Sequence, residues 1–263
     1  MEAKVINQKI VKAFVSLSFR KIILDAISFA TLFIFLAKIL PVAVIGIFGI
    51  ANAVLVFFNY FSDIGLAGAL IQKKEITKED LKTTFFVQEL LALLILVIIW
   101  FAAPFIADFY NWGDPELWLI RALGFGFFLT SLKVIPSILL ERELKFNPIV
   151  WVDIIEILTF NGILVFMALR GFGVESFAVA VVVSRILAAI AINILSPWSY
   201  SFGLDKNSFK TLVNFGIPFQ ANSLLALLKD RLIPLITSKI IGDVGMGYVT
   251  WAQGVAFRPL EIM

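Results

Sequence analysis

The sequence TFFVQELLALLILVIIWFAAPF, residues Thr84–Phe105, predicts a membrane helix because it is almost continuously apolar. Its length fits the ~17–25 residues that an α-helix needs to cross a bilayer. The whole chain has the same character: 60% of its 263 residues are hydrophobic, 16% are charged and the mean hydropathy is +0.98. A soluble domain has roughly 25% charged residues. The composition therefore predicts an all-α, polytopic transmembrane helical bundle.

Similar apolar segments recur along the chain, separated by breaks rich in Pro, Gly, Asn and Asp. About eight spans are predicted: Ile22–Leu40, Val42–Ser62, Thr84–Phe105, Leu117–Leu140, Ile149–Leu169, Val174–Ser196, Thr211–Ile236 and Ile240–Leu260. No small-residue cleavage site follows the basic N-terminus, so we expect a retained first helix rather than a removable signal peptide. Small residues recur on the sixth span, at Ala180, Ser184 and Ala188, and predict close helix packing there.

Basic residues are concentrated in alternate loops, which fixes the predicted orientation because Lys and Arg are retained on the cytoplasmic side. The N-terminal segment and the loop after the second span hold most of them: Lys4, Lys9, Lys12, Arg20, Lys21, Lys73, Lys74, Lys78 and Lys82. The loop from Ala107 to Glu116 is acidic instead. We therefore expect a multi-pass protein of the inner or plasma membrane with a cytoplasmic N-terminus.

The chain contains neither Cys nor His. Disulfides, Cys/His zinc sites, Ser-His-Asp triads and histidine proton relays are therefore excluded. The sequence also lacks the Gly-x-x-x-x-Gly-Lys-Ser/Thr pattern of a P-loop. We expect no catalytic residue, no metal site and no cofactor.

An internal repeat becomes visible when the chain is compared with itself at an offset of 201 residues. KILPVAVIGIFGIANAV, Lys38–Val54, then aligns without a gap to KIIGDVGMGYVTWAQGV, Lys239–Val255, and the identical pairs include Gly46 and Gly247. Spans one and two would thus recur as spans seven and eight. A repeat unit of six helices keeps its orientation, which is one of the known transporter architectures. We predict a six-span lobe at residues 1–200 and the first two helices of a truncated second lobe at 201–263.

Several strings resemble the Wzx-type (RfbX-like) oligosaccharide flippases of the MOP superfamily, which also contains the MATE antiporters. They are FSDIGLAGALIQKKEITKED (61–80), LLERELKFNPI (139–149), GFGVES (171–176), LVNFGIPF (212–219) and DRLIPLITSKIIGDVGMGY (230–248). The resemblance implies two six-helix bundles around a cavity that opens alternately to each side. It also implies that a polyprenyl-diphosphate-linked oligosaccharide is moved to the outer leaflet for O-antigen, capsule or exopolysaccharide synthesis. The expected partners are this substrate, the bilayer and other polysaccharide biosynthesis proteins, with no nucleic acid.

Ionisable side chains inside the predicted spans are the candidate site residues, since such groups usually face a cavity or a partner. A diphosphate would need cations, and the candidates for substrate binding are Lys133, Arg185, Lys229, Asp230 and Arg231. Each has an alternative role. The cluster at 229–231 could neutralise itself beside the kink at Pro234, Arg185 could pair with an acid, and Lys133 could reach the cytoplasmic interface.

Three acidic residues are candidates for ion coupling: Asp25, Asp153 and Glu156. Asp153 and Glu156 share one helix face and could bind a cation or proton, pair with Arg185, or form a hydrated surface. Asp25 could instead pair with Lys21, four residues earlier. The cytoplasmic loop KKEITKEDLK is interpreted as a solvated connector, with a contact to lipid headgroups or a biosynthetic partner as the alternative.

Two other functions compete with the flippase. A MATE-like antiporter of cations would favour a cavity dominated by acids and aromatics, whereas the candidates here are mainly basic. A membrane polysaccharide polymerase or other enzyme would need a sizeable outer loop to hold an acceptor sugar, and the predicted outer loops are short. The flippase is the preferred hypothesis.

Overall fold

The computed structural model describes residue 24 and residues 26–31, 37–59, 65–214 and 233–262. Within them every regular element is a helix, as predicted. The labelled helices are α1 (Val42–Asn59), α2 (Leu66–Gln72), α3 (Lys78–Tyr110), α4 (Asp114–Ser131), α5 (Val134–Arg142), α6 (Phe146–Leu169), α7 (Glu175–Leu195), α8 (206–214) and α9 (Ile233–Ile262). A short turn, Ala37–Ile39, precedes α1. Of the predicted span 22–40, the structure describes residue 24 and residues 26–31 and 37–40, and of the predicted span 211–236 it describes residues 211–214 and 233–236.

Four helical segments of the described chain are long and apolar enough to cross a membrane: Lys78–Tyr110, Asp114–Arg142, Phe146–Leu169 and Glu175–Leu195. Their outward faces expose large apolar side chains such as Leu94, Phe101 and Phe105. Such faces are stable only against lipid or another protein. The prediction of an all-α polytopic membrane bundle is thereby confirmed.

The loop KKEITKEDLK is a connector only in its first half, where Lys74 and Glu75 are exposed, because α3 already begins at Lys78. Thr77 caps this helix: its hydroxyl accepts the Asp80 N–H at 3.2 Å, and the Asp80 carboxylate accepts the Thr77 N–H at 2.9 Å. This reciprocal pair is a capping box. Lys73 also binds Asp80, at 2.6 Å, and the Asp80 side chain is 1% exposed. Two charges of this loop, those of Lys73 and Asp80, thus stabilise the start of a helix.

The predicted span Leu117–Leu140 lies within the membrane-crossing segment Asp114–Arg142, and this segment is interrupted at Leu132 and Lys133. Pro136 explains the break: it lacks an N–H, and its ring would clash with the carbonyl of Leu132 in a continuous helix. In α5 the proline lies in the first turn, where no N–H is needed. The break places Lys133 between α4 and α5.

Arg142, at the end of α5, holds the C-terminus of α2. Its guanidinium donates to the carbonyl oxygens of Leu70, Ile71, Lys73 and Lys74 at distances between 2.6 and 3.0 Å. The last carbonyls of a helix have no partner within the helix, and a cation there also interacts favourably with the helix dipole. One side chain therefore attaches the segment before α3 to α5.

Small residues allow α3, α4, α6 and α7 to pack closely. A Cβ at Gly124 would lie 2.8 Å from Ile99, and one at Gly126 would lie 2.6 Å from Val181. On α7, the predicted packing stripe is confirmed, because Ala180 and Ala188 are fully buried and Ser184 is 2% exposed.

Helices α1 and α9 meet through backbone contacts that follow the internal repeat. A Cβ on Gly46 would overlap the carbonyl oxygen of Asp243, and a Cβ on Gly247 would overlap the carbonyl oxygen of Val42. The two contacts are equivalent under the repeat, because Gly46 corresponds to Gly247 and Val42 corresponds to Asp243. Such a pair of contacts is expected around a local two-fold axis. Gly49 lies in the same way against the side chain of Thr250, its repeat partner.

Candidate functional site

A cavity of about 310 Å³ lies among α1, α4, α6 and α7. Its apolar wall includes the rings of Phe48, Phe127 and Phe160. Phe48 stacks on the buried Phe177, with ring centroids 4.3 Å apart, which fixes this part of the wall. The remaining wall is polar, and the lining side chains with oxygen or nitrogen atoms are Ser28, Asn52, Thr130, Glu156, Asn161, Ser184 and Arg185.

The charged part of the cavity is a cluster in which one carboxylate binds two cations. Glu156 Oε2 accepts from Lys133 Nζ at 2.5 Å, and Glu156 Oε1 accepts from Arg185 Nη1. The side chains of Glu156 and Lys133 are each 14% exposed, whereas that of Arg185 is 37% exposed. Two cations and one anion leave an excess positive charge, and the guanidinium is its accessible part. The cluster can therefore attract an anionic group into the cavity.

Three polar side chains of the lining use their donors on their own helices. Thr130 donates to the Gly126 carbonyl at 2.9 Å, Asn161 to Ile157 at 2.8 Å and Ser184 to Val181 at 3.0 Å. Each side-chain oxygen keeps lone pairs that can accept hydrogen bonds. Sugar hydroxyls are suitable donors, and aromatic rings beside them offer apolar surface.

Comparison with known proteins gives a match over most of the chain. The family described as "Polysaccharide biosynthesis protein" matches residues 35–263. The chain belongs to this polysaccharide biosynthesis protein family. This family match and the similarity to two relatives confirm the resemblance to Wzx-type proteins that the sequence predicted.

Two curated relatives of this family member each share 24% identity with it. One is the teichuronic acid biosynthesis protein TuaB of Bacillus subtilis (strain 168), aligned over 78% of this chain and 43% of TuaB. The other is the lipopolysaccharide biosynthesis protein WzxC of Escherichia coli (strain K12), aligned over 85% of this chain and 46% of WzxC. The chain thus spans less than half the length of the curated relatives it matches. No solved structure gives a significant match.

In this polysaccharide biosynthesis protein, the structure brings together three residues that the sequence singled out separately. Lys133, Glu156 and Arg185 come from the α4–α5 break, from α6 and from α7. Asp153 lies one turn before Glu156 and is half-buried. The candidates Asp25, Lys229, Asp230 and Arg231 lie outside the described residues.

Sequence reasoning missed the neutral polar residues of the cavity. Asn161 is 7% exposed in the middle of α6, and Asn52 lies on α1. An amide within an apolar span was the signal that could have found them, because such groups rarely face lipid. The sequence predicted Ser184 only as a small packing residue, but its side chain also lines the cavity.

The last turn of α3 and the residues that follow it contact the N-terminal part of α9. The indole N–H of Trp112 donates to both carboxylate oxygens of Asp243, at 3.0 and 3.1 Å. Ser238 donates to the hydroxyl of Tyr110 at 3.1 Å, and Lys239 lies over the ring of Phe109. These contacts continue the close approach of α1 and α9.

Proposed function

We propose that this chain contributes to a flippase that moves a polyprenyl-diphosphate-linked oligosaccharide from the inner to the outer leaflet during surface polysaccharide synthesis. The observation that carries the proposal is the cation-rich cluster of Lys133, Glu156 and Arg185 at the wall of a cavity between apolar helices. A charge cluster at this depth is costly unless it has a function. Family membership and the names of both relatives support a role in polysaccharide synthesis.

The size and lining of the cavity suit part of such a substrate. About 310 Å³ is at the lower end of the range for small-molecule sites. That volume accepts a diphosphate or a single sugar rather than a whole oligosaccharide. In the proposal, Arg185 binds a phosphate oxygen, while Asn161, Ser184 and Thr130 accept hydrogen bonds from sugar hydroxyls.

The antiporter alternative is less well supported. An acid that binds a transported cation must be able to release its present partner, and Glu156 already holds both Lys133 and Arg185. The cluster as a whole is positive, so it favours anions. We therefore keep the flippase as the single proposed function.

The proposal includes alternating access between two lobes, with the N-terminus on the cytoplasmic side. Repeat-related contacts of Gly46 and Gly247 support a pseudo-two-fold arrangement of residues 1–200 and 201–263. The Trp112–Asp243 hydrogen bonds then join the two lobes, and separation of the lobes at this point would break them.

Complementation of a flippase-null bacterial strain tests the proposal, with the gene expressed as it is encoded. The variant Arg185→Gln should fail to restore surface polysaccharide and should accumulate lipid-linked oligosaccharide at normal protein level. Arg185→Lys should keep part of the activity because it keeps the charge. Arg170→Gln is the matched control, since Arg170 is exposed at the end of α6 and lies over Phe166. Full restoration by Arg185→Gln would contradict the proposed site.

A further inference from the structure

Glu89 is a half-buried acid that neither the cavity nor the capping network uses. It lies on α3 directly before Leu90, whose side chain is 54% exposed, so it lies where the outward apolar surface of the helix begins. Its atom Oε1 is buried and has no hydrogen-bond partner among the described residues. Its atom Oε2 lies 2.9 Å from the hydroxyl oxygen of Ser131, on α4.

The hydroxyl of Ser131 has a second contact, which decides where its hydrogen lies. Ser131 Oγ is 2.6 Å from the backbone carbonyl oxygen of Phe128. A serine hydroxyl has one hydrogen, and a carbonyl oxygen can only accept. The shorter contact therefore takes the Ser131 hydrogen, and Ser131 Oγ is left as an acceptor toward Glu89.

An ionised Glu89 would then face Ser131 with two oxygens and no hydrogen between them. A protonated Glu89 donates its hydrogen from Oε2 to Ser131 Oγ, and Ser131 donates to Phe128, so that both contacts are hydrogen bonds. The unpartnered Oε1 fits the same assignment, because an ionised oxygen buried without a donor is far more costly than a neutral carbonyl oxygen. We propose that Glu89 is a proton-binding site that holds its proton in this conformation.

The titratable group that faces Glu89 from a neighbouring segment is Tyr200. The ring of Tyr200 contacts Phe85, which lies one turn before Glu89 on α3, at a centroid distance of 5.3 Å. The Tyr200 hydroxyl donates to the side-chain oxygen of Asn193. Its hydrogen is therefore used elsewhere, and Tyr200 does not supply the missing hydrogen to Glu89.

Several charged groups of the other surrounding elements have partners of their own. Helix α2 has no titratable side chain in its sequence LAGALIQ. Four charged residues of the other elements have these partners: Arg121 lies over Trp100 and Trp118, Lys133 binds Glu156, Arg142 binds carbonyl oxygens at the end of α2, and Asp205 accepts the Ser208 N–H. The other charged residues nearby are Glu141 on α5, Lys82 on α3 itself, and the exposed Lys206 and Lys210 on α8. Among the described ion pairs, none includes Glu89. In the described part of the chain, no ion pair therefore holds Glu89 in its ionised form.

The site has a consequence for transport that rests on the proposed function, although the protonation itself does not. The proton is shared across the contact between α3 and α4. If the opening of the cavity moves these helices apart, Glu89 loses its acceptor and can release the proton to water. A lipid-linked anion could in this way be exchanged against a proton.

Infrared spectroscopy of the full chain in nanodiscs tests the proton site without any transport assay. At neutral pH the difference spectrum of wild type minus Glu89→Gln should contain one carboxylic acid C=O band. The matched control is Glu143→Gln, which removes an exposed acid paired with Lys145 at 2.6 Å and should not change this region. If the Glu89→Gln protein folds and the difference spectrum contains no carboxylic acid C=O band, the proposal is overturned.

The variant Ser131→Ala decides the matter if Glu89→Gln does not fold. It removes the acceptor of the proposed O–H donor, so the C=O band should shift in frequency, and an unshifted band would overturn the proposal. The two proposals fail in distinguishable ways. The band can be present in a protein that does not restore polysaccharide, and polysaccharide can be restored by a protein that lacks the band.

Discussion

Replacing Glu156 by Gln should destabilise the protein more than replacing either of its cationic partners. Gln keeps the size of the side chain but removes the negative charge that Lys133 and Arg185 share. Glu156→Gln removes the counter-charge that both cations share. Lys133→Gln or Arg185→Gln each leaves one complete ion pair.

The magnitude follows from distance and burial. For charge centres about 3.5 Å apart, an effective dielectric constant of ~20 gives roughly 4–5 kcal/mol of attraction per pair. Lys133 and Glu156 lie 2.5 Å apart and their side chains are 14% exposed, so breaking this pair should cost about 3 kcal/mol, at the low end for buried pairs. Arg185 is 37% exposed, and solvent screening reduces its share to about 1 kcal/mol or less.

Thermal unfolding of the purified variants measures the difference. Glu156→Gln loses both pairs, about 4 kcal/mol, which corresponds to a Tm lower by roughly 8–16 °C for a chain of this size. The expected decreases are roughly 6–12 °C for Lys133→Gln and roughly 2–4 °C for Arg185→Gln. The double variant Lys133→Gln/Glu156→Gln completes a cycle and should recover part of the loss. Equal Tm values for Glu156→Gln and Arg185→Gln, or a Glu156→Gln protein as stable as wild type, would refute the shared counter-charge.

The remaining predictions concern packing and the joined helix ends. Gly46→Ala should disrupt the α1–α9 contact and lower the Tm, whereas Gly162→Ala, where a Cβ meets nothing within 4 Å, should be neutral or slightly stabilising. Arg142→Gln should lower hydrogen-exchange protection in residues 66–74 more than elsewhere, because four carbonyl contacts are lost; uniform protection would contradict this. Trp112→Phe should remove both hydrogen bonds to Asp243 and increase the distance between spin labels on α3 and α9. An unchanged distance distribution would show that these hydrogen bonds do not hold the two helices together.

The membrane fold could be predicted from the sequence because its signal is local. A run such as Thr84–Phe105 has no stable alternative in water, so composition alone predicted the helices. Their ends were harder to predict. Hydropathy placed the start of α3 at the first apolar residues, whereas the capping box of Thr77 and Asp80 begins the helix one to two turns earlier. Pro136 was visible in the sequence, and its effect on the fourth span was missed because the apolar character continues through the break.

The sequence predicted the charged residues of the candidate site but not which of them form ion pairs. Each ionisable group inside a span was a valid signal, since burial of a charge needs a reason. The pairing of these charged side chains depends on how α4, α6 and α7 pack against one another. The periodicity of a single helix does not predict that packing. Pairing of Glu156 with Arg185 was one of several alternatives for each residue. The additional partner, Lys133, reaches Glu156 only because the chain breaks before Pro136.

The shared carboxylate also bears on how the proposed substrate could leave. A diphosphate bound by two free cations in a dry cavity would be held tightly, and a transporter must release what it binds. With Glu156 between them, Lys133 and Arg185 lose part of their attraction for an anion, and Glu156 can take them back when the anion departs. Binding then exchanges one ion pair for another, so the free-energy difference between the loaded and the empty cavity stays small. For this reason Glu156→Gln should bind a diphosphate analogue more tightly than wild type in vesicles and flip less, whereas weaker binding by this variant would show that Glu156 serves only to position Arg185.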